Sequence, residues 1–172
     1  AFSVKKAADF SAIGAFALCP TGELLILEVV NRRLGLHELA KEIENVCNRH
    51  LPAFVAVESG HPSLRDDMVR YKGIPTVRWL TTGTKDKLTR AVPAVVKAAA
   101  GDIYRPNQKP GWWDDYETQL KSFNGLTDEH DDMCLVAGTK VLLERGEVSI
   151  EDGSTNTVIF TVHEPGAAAD AP

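Results

Sequence analysis

Apolar and polar positions along this chain fall into short blocks whose period switches between that of a strand and that of a helix. Ser11 to Leu18 and Leu24 to Val30 are apolar runs separated by Cys19-Pro20-Thr21-Gly22-Glu23, a turn of the kind that joins two antiparallel strands. From Leu36 onward the apolar positions Leu36, Leu39, Ile43, Val46 and Cys47 share one helical face, with Glu38, Lys41, Glu42 and Glu44 elsewhere. Ala53 to Val57 is a continuous apolar strand, the pattern of a strand covered on both faces, and it ends at Glu58. Leu64 to Lys72 reads as a short helix, Gly73-Ile74-Pro75 as a break, and Thr76 to Leu80 as another strand.

A polar loop, Thr81 to Thr84, then leads through Lys85, Lys87 and Arg90 into a helix reaching about Ala100. Pro93 fits that helix only in its first turn, where a missing N–H costs nothing. Gly101 ends it, Asp102 to Arg105 predicts a short edge strand, and Trp112 to Phe123 a helix bearing Trp112, Trp113, Tyr116, Leu120 and Phe123. Strands alternating with helices after an initial hairpin predict an α/β layer structure with a mixed sheet. The chain opens on Ala1-Phe2 without methionine, and the reading expects an earlier strand ahead of it.

Length and composition narrow the class. A chain of 172 residues with 44% hydrophobic content accommodates one ordinary domain and a smaller segment. No apolar run approaches the ~20 residues of a membrane span, and the start lacks a basic-then-apolar signal pattern, so a soluble intracellular protein is expected. Cys19, Cys47 and Cys134 are odd in number and far apart, which argues against a disulfide framework or a zinc site. The net charge of -5 is uneven: residues 1–133 hold 17 Lys and Arg against 18 Asp and Glu, residues 134–172 hold 2 against 6. Any nucleic-acid contact therefore needs a local basic surface.

The candidate chemistry lies in carboxylates at element boundaries: Asp9, Glu58, Asp131 and Asp132. A carboxylate at the C-terminal end of a central strand stands where open α/β sheets hold their sites. Hard cations such as Mg2+ or Mn2+ take oxygen ligands, and a carboxylate cluster holds two of them ~4 Å apart to activate water against a phosphodiester. The plainer alternative is that Asp131-Asp132 are helix-start carboxylates facing a dipole.

The order Asp9-Phe10-Ser11-Ala12, hairpin, Val57-Glu58-Ser59-Gly60, Lys87-Leu88-Thr89-Arg90-Ala91, Gly101-Asp102-Ile103-Tyr104, Trp112-Trp113 and His130-Asp131-Asp132 resembles the C-terminal nuclease domain of the large terminase subunit of tailed bacteriophages, over residues 1–133. The resemblance implies an RNase H-like mixed sheet flanked by helices and a metal-dependent endonuclease that cuts concatemeric phage DNA during packaging. Glu58, Asp131 and Asp132 match its metal ligands, for two Mg2+ or Mn2+ ions. Its first-strand aspartate would precede Ala1, and Asp9 matches a later, supporting acidic position. Lys85, Lys87 and Arg90 are candidate contacts to DNA phosphates. The resemblance further implies an upstream ATPase, a small terminase subunit, a portal, double-stranded DNA, and the cytoplasm of an infected bacterial host.

After Met133 the pattern changes. Terminase sequences continue toward an Asp-Ala pair that Leu135-Val136 replace here, and Cys134 to Leu143, with Gly146 and Ile150-Glu151-Asp152, resembles the N-terminal splicing region of an intein. The resemblance implies a short β-rich, Hint-type segment over 134–172 that ends in a low-complexity tail. Cys134 would be the splicing nucleophile, attacking the Met133 carbonyl to form a thioester; its plain alternative is a buried core cysteine. The downstream splicing histidine and terminal His-Asn are missing, which implies a complementary C-terminal intein fragment or a truncated frame. Two other functional classes stay open: a junction-resolving or repair nuclease of the same fold, and a non-catalytic DNA-binding fragment.

Overall fold

A computed structural model describes residues 10–58, 62–80, 87–123 and 156–163, with the side chains of 62, 87, 90 and 156–163 outside the description. Six strands and four helices alternate: β1 (Phe10–Leu18), β2 (Leu24–Arg33), α1 (Leu36–His50), β3 (Phe54–Glu58), α2 (Pro62–Met68), β4 (Val77–Leu80), α3 (Lys87–Ala99), β5 (Ile103–Tyr104), α4 (Trp113–Ser122) and β6 (Asn156–His163). The strands form one mixed sheet in the order β4-β3-β6-β1-β2-β5.

The first two strands pair antiparallel from Phe10↔Arg33 to Leu18↔Leu24, as their apolar runs predict. Their turn closes through Cys19 N–H to the Glu23 carbonyl (2.8 Å) and Gly22 N–H to the Cys19 carbonyl (2.9 Å), with Gly22 at φ 102. A positive φ there suits a residue with no Cβ. Between Ala15↔Glu28 and Phe16↔Ile26 one extra residue, Leu27, enters β2 as a bulge, and the alternation of β2 shifts by one beyond it. This shift is why Ile26 and Val29, three apart in sequence, pack on the same face.

The strand at the centre is β6. It runs antiparallel to β1 from Ser11↔His163 to Leu18↔Asn156 and parallel to β3 from Phe54↔Val158 to Val57↔Thr161. The sequence reading assigns no element to these residues, placing them in a separate segment; their main chain instead joins the two halves of the sheet. Beyond β3, the edge strand β4 pairs parallel, Glu58 opposite Leu80, and at the other edge β5 pairs parallel with β2.

Helices cover both faces. On one, α1 and α2 bury Leu39, Ile43 and Val46 against Ile13, Val55 and Val57 of the sheet. Each such aliphatic side chain contributes roughly 1.5–3 kcal/mol on leaving water. On the other, Trp113 and Tyr116 of α4 pack on Ala12, Phe16, Val29 and Ala56. The start of α1 is fixed by the Gly35 N–H donating to Glu38 Oε2 (2.9 Å), and its end by Leu51, at φ 46, whose N–H reaches the Cys47 carbonyl (2.7 Å).

Two local expectations are corrected. The second helix stops at Met68, and Tyr71 N–H to the Met68 carbonyl (3.1 Å) continues it as a turn, because Gly73 and Pro75 follow. Pro93 is the seventh residue of α3 and not in its first turn. The helix persists through it because alanine-rich sequence surrounds the proline and because Lys97 Nζ, one turn on, donates to the Gly22 carbonyl (2.6 Å) and lies 3.8 Å from Asp102. Among the described residues no helix is long and apolar enough to cross a membrane.

Candidate functional site

Glu58 ends β3 and is half-buried. Its position follows from the strand that delivers it: Val55, Ala56 and Val57 are 0–1% exposed, so the strand is covered on both faces and its end is held in place. By the two-residue alternation Glu58 belongs to the face of Ala56, the face covered by α4. One residue past the Val57–Thr161 pair, it comes level with the row Val162–Ala12–Asn31 that crosses β6, β1 and β2.

Of the other residues expected at the site, Asp9, Lys85, Asp131, Asp132 and Cys134 lie outside the described residues. Lys87 and Arg90 fall in the first turn of α3, with their side chains outside the description. Among the described residues no group of three or more His, Cys, Asp or Glu side chains converges as a metal site. The central strand beside Glu58, Asn-Thr-Val-Ile-Phe-Thr-Val-His, contains no acidic residue. Glu58 thus suits the role of one hard oxygen ligand, and the other expected ligands, Asp131 and Asp132, are not part of the geometry described.

Two arginines that the sequence reading passes over share this face. Arg78, on β4, holds its guanidinium 4.0 Å from the centroid of the Phe54 ring; Arg33, at the end of β2, lies 4.6 Å from that of Phe10. For Arg78 the signal in sequence is an arginine inside an otherwise apolar strand, and only the strand register shows what it meets; Arg33, in the polar end Asn31-Arg32-Arg33 of β2, carries no such signal.

A second polar cluster lies on the α1 side. Glu28, displaced by the bulge, receives Arg49 Nη2 (2.8 Å) and Nε (3.1 Å) and contacts His50 Nε2 (2.7 Å). Burial opposes the charge of Glu28, but the hydrogen bonds and charges of Arg49 and His50 outweigh it and hold the carboxyl below the ordinary range. Cys47 nearby is pushed up to about 12 by burial and then by Glu44, so it is an inert core thiol at neutral pH.

Compared with protein-family models, with curated proteins and with solved structures, the chain matches none. What the coordinates define is a mixed α/β protein with a carboxylate at the carboxyl end of an inner strand.

Proposed function

We propose that the chain is the metal-dependent endonuclease domain of a phage terminase large subunit, of RNase H-like fold, interrupted after Met133 by the beginning of an intein. The observation that carries the nuclease reading is Glu58, held at the carboxyl end of an inner parallel strand, level with the centre of a mixed sheet. A mixed α/β sheet with an antiparallel hairpin, β1 and β2, and a parallel pair, β3 and β4, supports the fold class of this reading; the strand between them, β6, comes from the segment read as intein. The intein reading rests on Cys134 to Asp152 in the sequence.

Glu58, with Asp131 and Asp132, would hold Mg2+ or Mn2+, which supplies an activated water for phosphodiester hydrolysis. Glu58 contributes an anionic oxygen at a fixed place, and the half-buried strand end limits competing water. The substrate is double-stranded DNA, and the working context is the packaging machinery, with its ATPase, small subunit and portal, in the infected cell. A complementary intein fragment would restore the sequence beyond Met133.

Nicking of supercoiled plasmid in Mn2+ tests this. The chain as it stands nicks weakly at best, because Asp131-Asp132 abut the interruption, and Glu58→Ala removes whatever activity there is. Robust cutting that survives Glu58→Ala would remove Glu58 from the mechanism, and a chain whose melting temperature ignores Mn2+ would remove the metal site. The intein reading is tested separately by intact mass after hydroxylamine: cleavage between Met133 and Cys134, lost in Cys134→Ala, is expected.

A further inference from the structure

We propose that the place between β1 and β3 is a strand-acceptor site, held by β6 in this chain and taken by the segment ahead of β1, Ala1-Phe2-Ser3-Val4, when β6 leaves. The inference rests on the reading of residues 134–172 as intein, since splicing then removes β6 from the sheet. Main-chain pairing defines the site: β1 offers an antiparallel edge and β3 a parallel one. A strand added between such edges takes its affinity from main-chain hydrogen bonds and its register from alternate side chains. Helices also tie the two walls to each other. On one face a single apolar cluster joins Ile13 of β1 to Val55 and Val57 of β3 through Leu39 and Ile43 of α1; on the other, Ala12 and Phe16 of β1 join Ala56 of β3 beneath Trp113 and Tyr116 of α4. Two strand spacings set β1 and β3 roughly 10 Å apart, which leaves room for one strand.

Direction identifies the occupant. A strand joined to the start of β1 by a short loop runs antiparallel to it. The other edge of β1 is taken by β2 along its whole length, so the place left for such a strand is that of β6. It would end opposite Phe10 and Ser11, and that is where β6 ends, with His163 opposite Ser11. A five-residue loop, Lys5 to Asp9, sets Val4 opposite Phe10, Ser3 opposite Ser11, and Phe2 opposite Ala12, the position that Val162 holds in this chain. Phe2 then joins the apolar face of Ala12, level with Glu58, and Lys5-Lys6 stay in the turn. Pairing decides which strand wins. β6 makes eight register pairs with β1, Ser11 to Leu18, where Ala1 to Val4 make four. The hairpin has the lower cost of closure, five residues against the 33 of residues 123–155 between α4 and β6. While β6 is attached it keeps the place; once it is gone, the hairpin closes on the Glu58 end of β1 and β3.

The test is hydrogen exchange of the full chain read by mass spectrometry, wild type against Ile159→Pro, which ejects β6 by taking a donor from an inner strand. In the variant Phe2 to Val4 exchange about tenfold more slowly than in the wild type, and residues 156–163 exchange freely, while Leu39 to Val46 of α1 keep their protection. Four residues cover only Phe10 to Ile13, so Gly14 to Leu18 and most of β3 lose theirs. A synthetic peptide of the sequence Asn156 to His163 restores protection to β1 and frees Phe2 to Val4; Val4→Pro added to the variant abolishes the slowing. Equal exchange of Phe2 to Val4 in the two chains, with α1 still protected, overturns the proposal. So does a variant whose α1 stays unprotected even with the peptide, because β6 is then not exchangeable. The readout needs no splicing. A swap without hydroxylamine cleavage at Met133 keeps the acceptor site and removes the intein as its trigger; cleavage without a swap does the reverse.

Discussion

At the scale of single residues, the most strongly tied charge among those described is Glu28, with Arg49 and His50 both on it and its side chain 21% exposed. Hydrogen bonds to a charged group are worth about 1.5–3 kcal/mol, so Glu28→Gln is expected to cost about 2 kcal/mol at pH 7 in denaturant unfolding. The folded carboxyl titrates below its unfolded value. Its contribution is therefore complete above the unfolded pKa, about 4.3, and is lost as pH falls through the folded one. The gap between wild type and variant should stay constant from neutral pH to about 5 and close below 4. A gap that closes between pH 7 and 6 would show that the contribution follows another group. None of this was legible from the sequence, because Glu28 meets Arg49 and His50 only through the bulge at Leu27 and the placement of α1.

The elements themselves were largely legible. Both hairpin strands, α1, β3 and the edge strand β5 follow from apolar period and turn residues, and each lies within a few positions of where those patterns put it. Pairing was not legible, since a strand's partners are set by distant sequence, and so the row that joins Glu58, Ala12 and Asn31 could not be read. The run Thr157 to Val162, β-branched except for the aromatic Phe160, carries a strand signal of its own, although no element is expected there from the intein resemblance, which ends at Asp152. The least economical element is α3, where Pro93 removes an N–H from the helix interior. That loss is worth about 3 kcal/mol, against about 0.4–1 kcal/mol gained from a stiffer unfolded chain. Pro93→Ala is thus expected to stabilise by about 2 kcal/mol, read as a raised denaturant midpoint at unchanged slope. An unchanged midpoint would mean that the helix begins nearer residue 93 than 87.

At the scale of the whole molecule, β6 alone among the described strands touches both halves of the sheet by main-chain pairing. Ile159 stands opposite Ala15 of β1 and Val55 of β3. Proline there takes a donor from an inner strand, which sheets tolerate essentially only at edges or bulges. Ile159→Pro should therefore strip hydrogen-exchange protection from β1 and β3 together, while Val95 to Ala98 in α3 change little by comparison. Loss confined to one neighbour would mean that β6 does not sit between the two. The same strand also sets the order of events during synthesis. Ser11 waits for His163, a partner 152 positions later in the chain, and a contact so distant in sequence delays folding. At a ribosome adding 5–20 residues per second, β1 is complete roughly 7–30 s before its partner exists. For that interval the nascent chain presents two unpaired inner edges, and its yield in a cell should depend on whatever shields them.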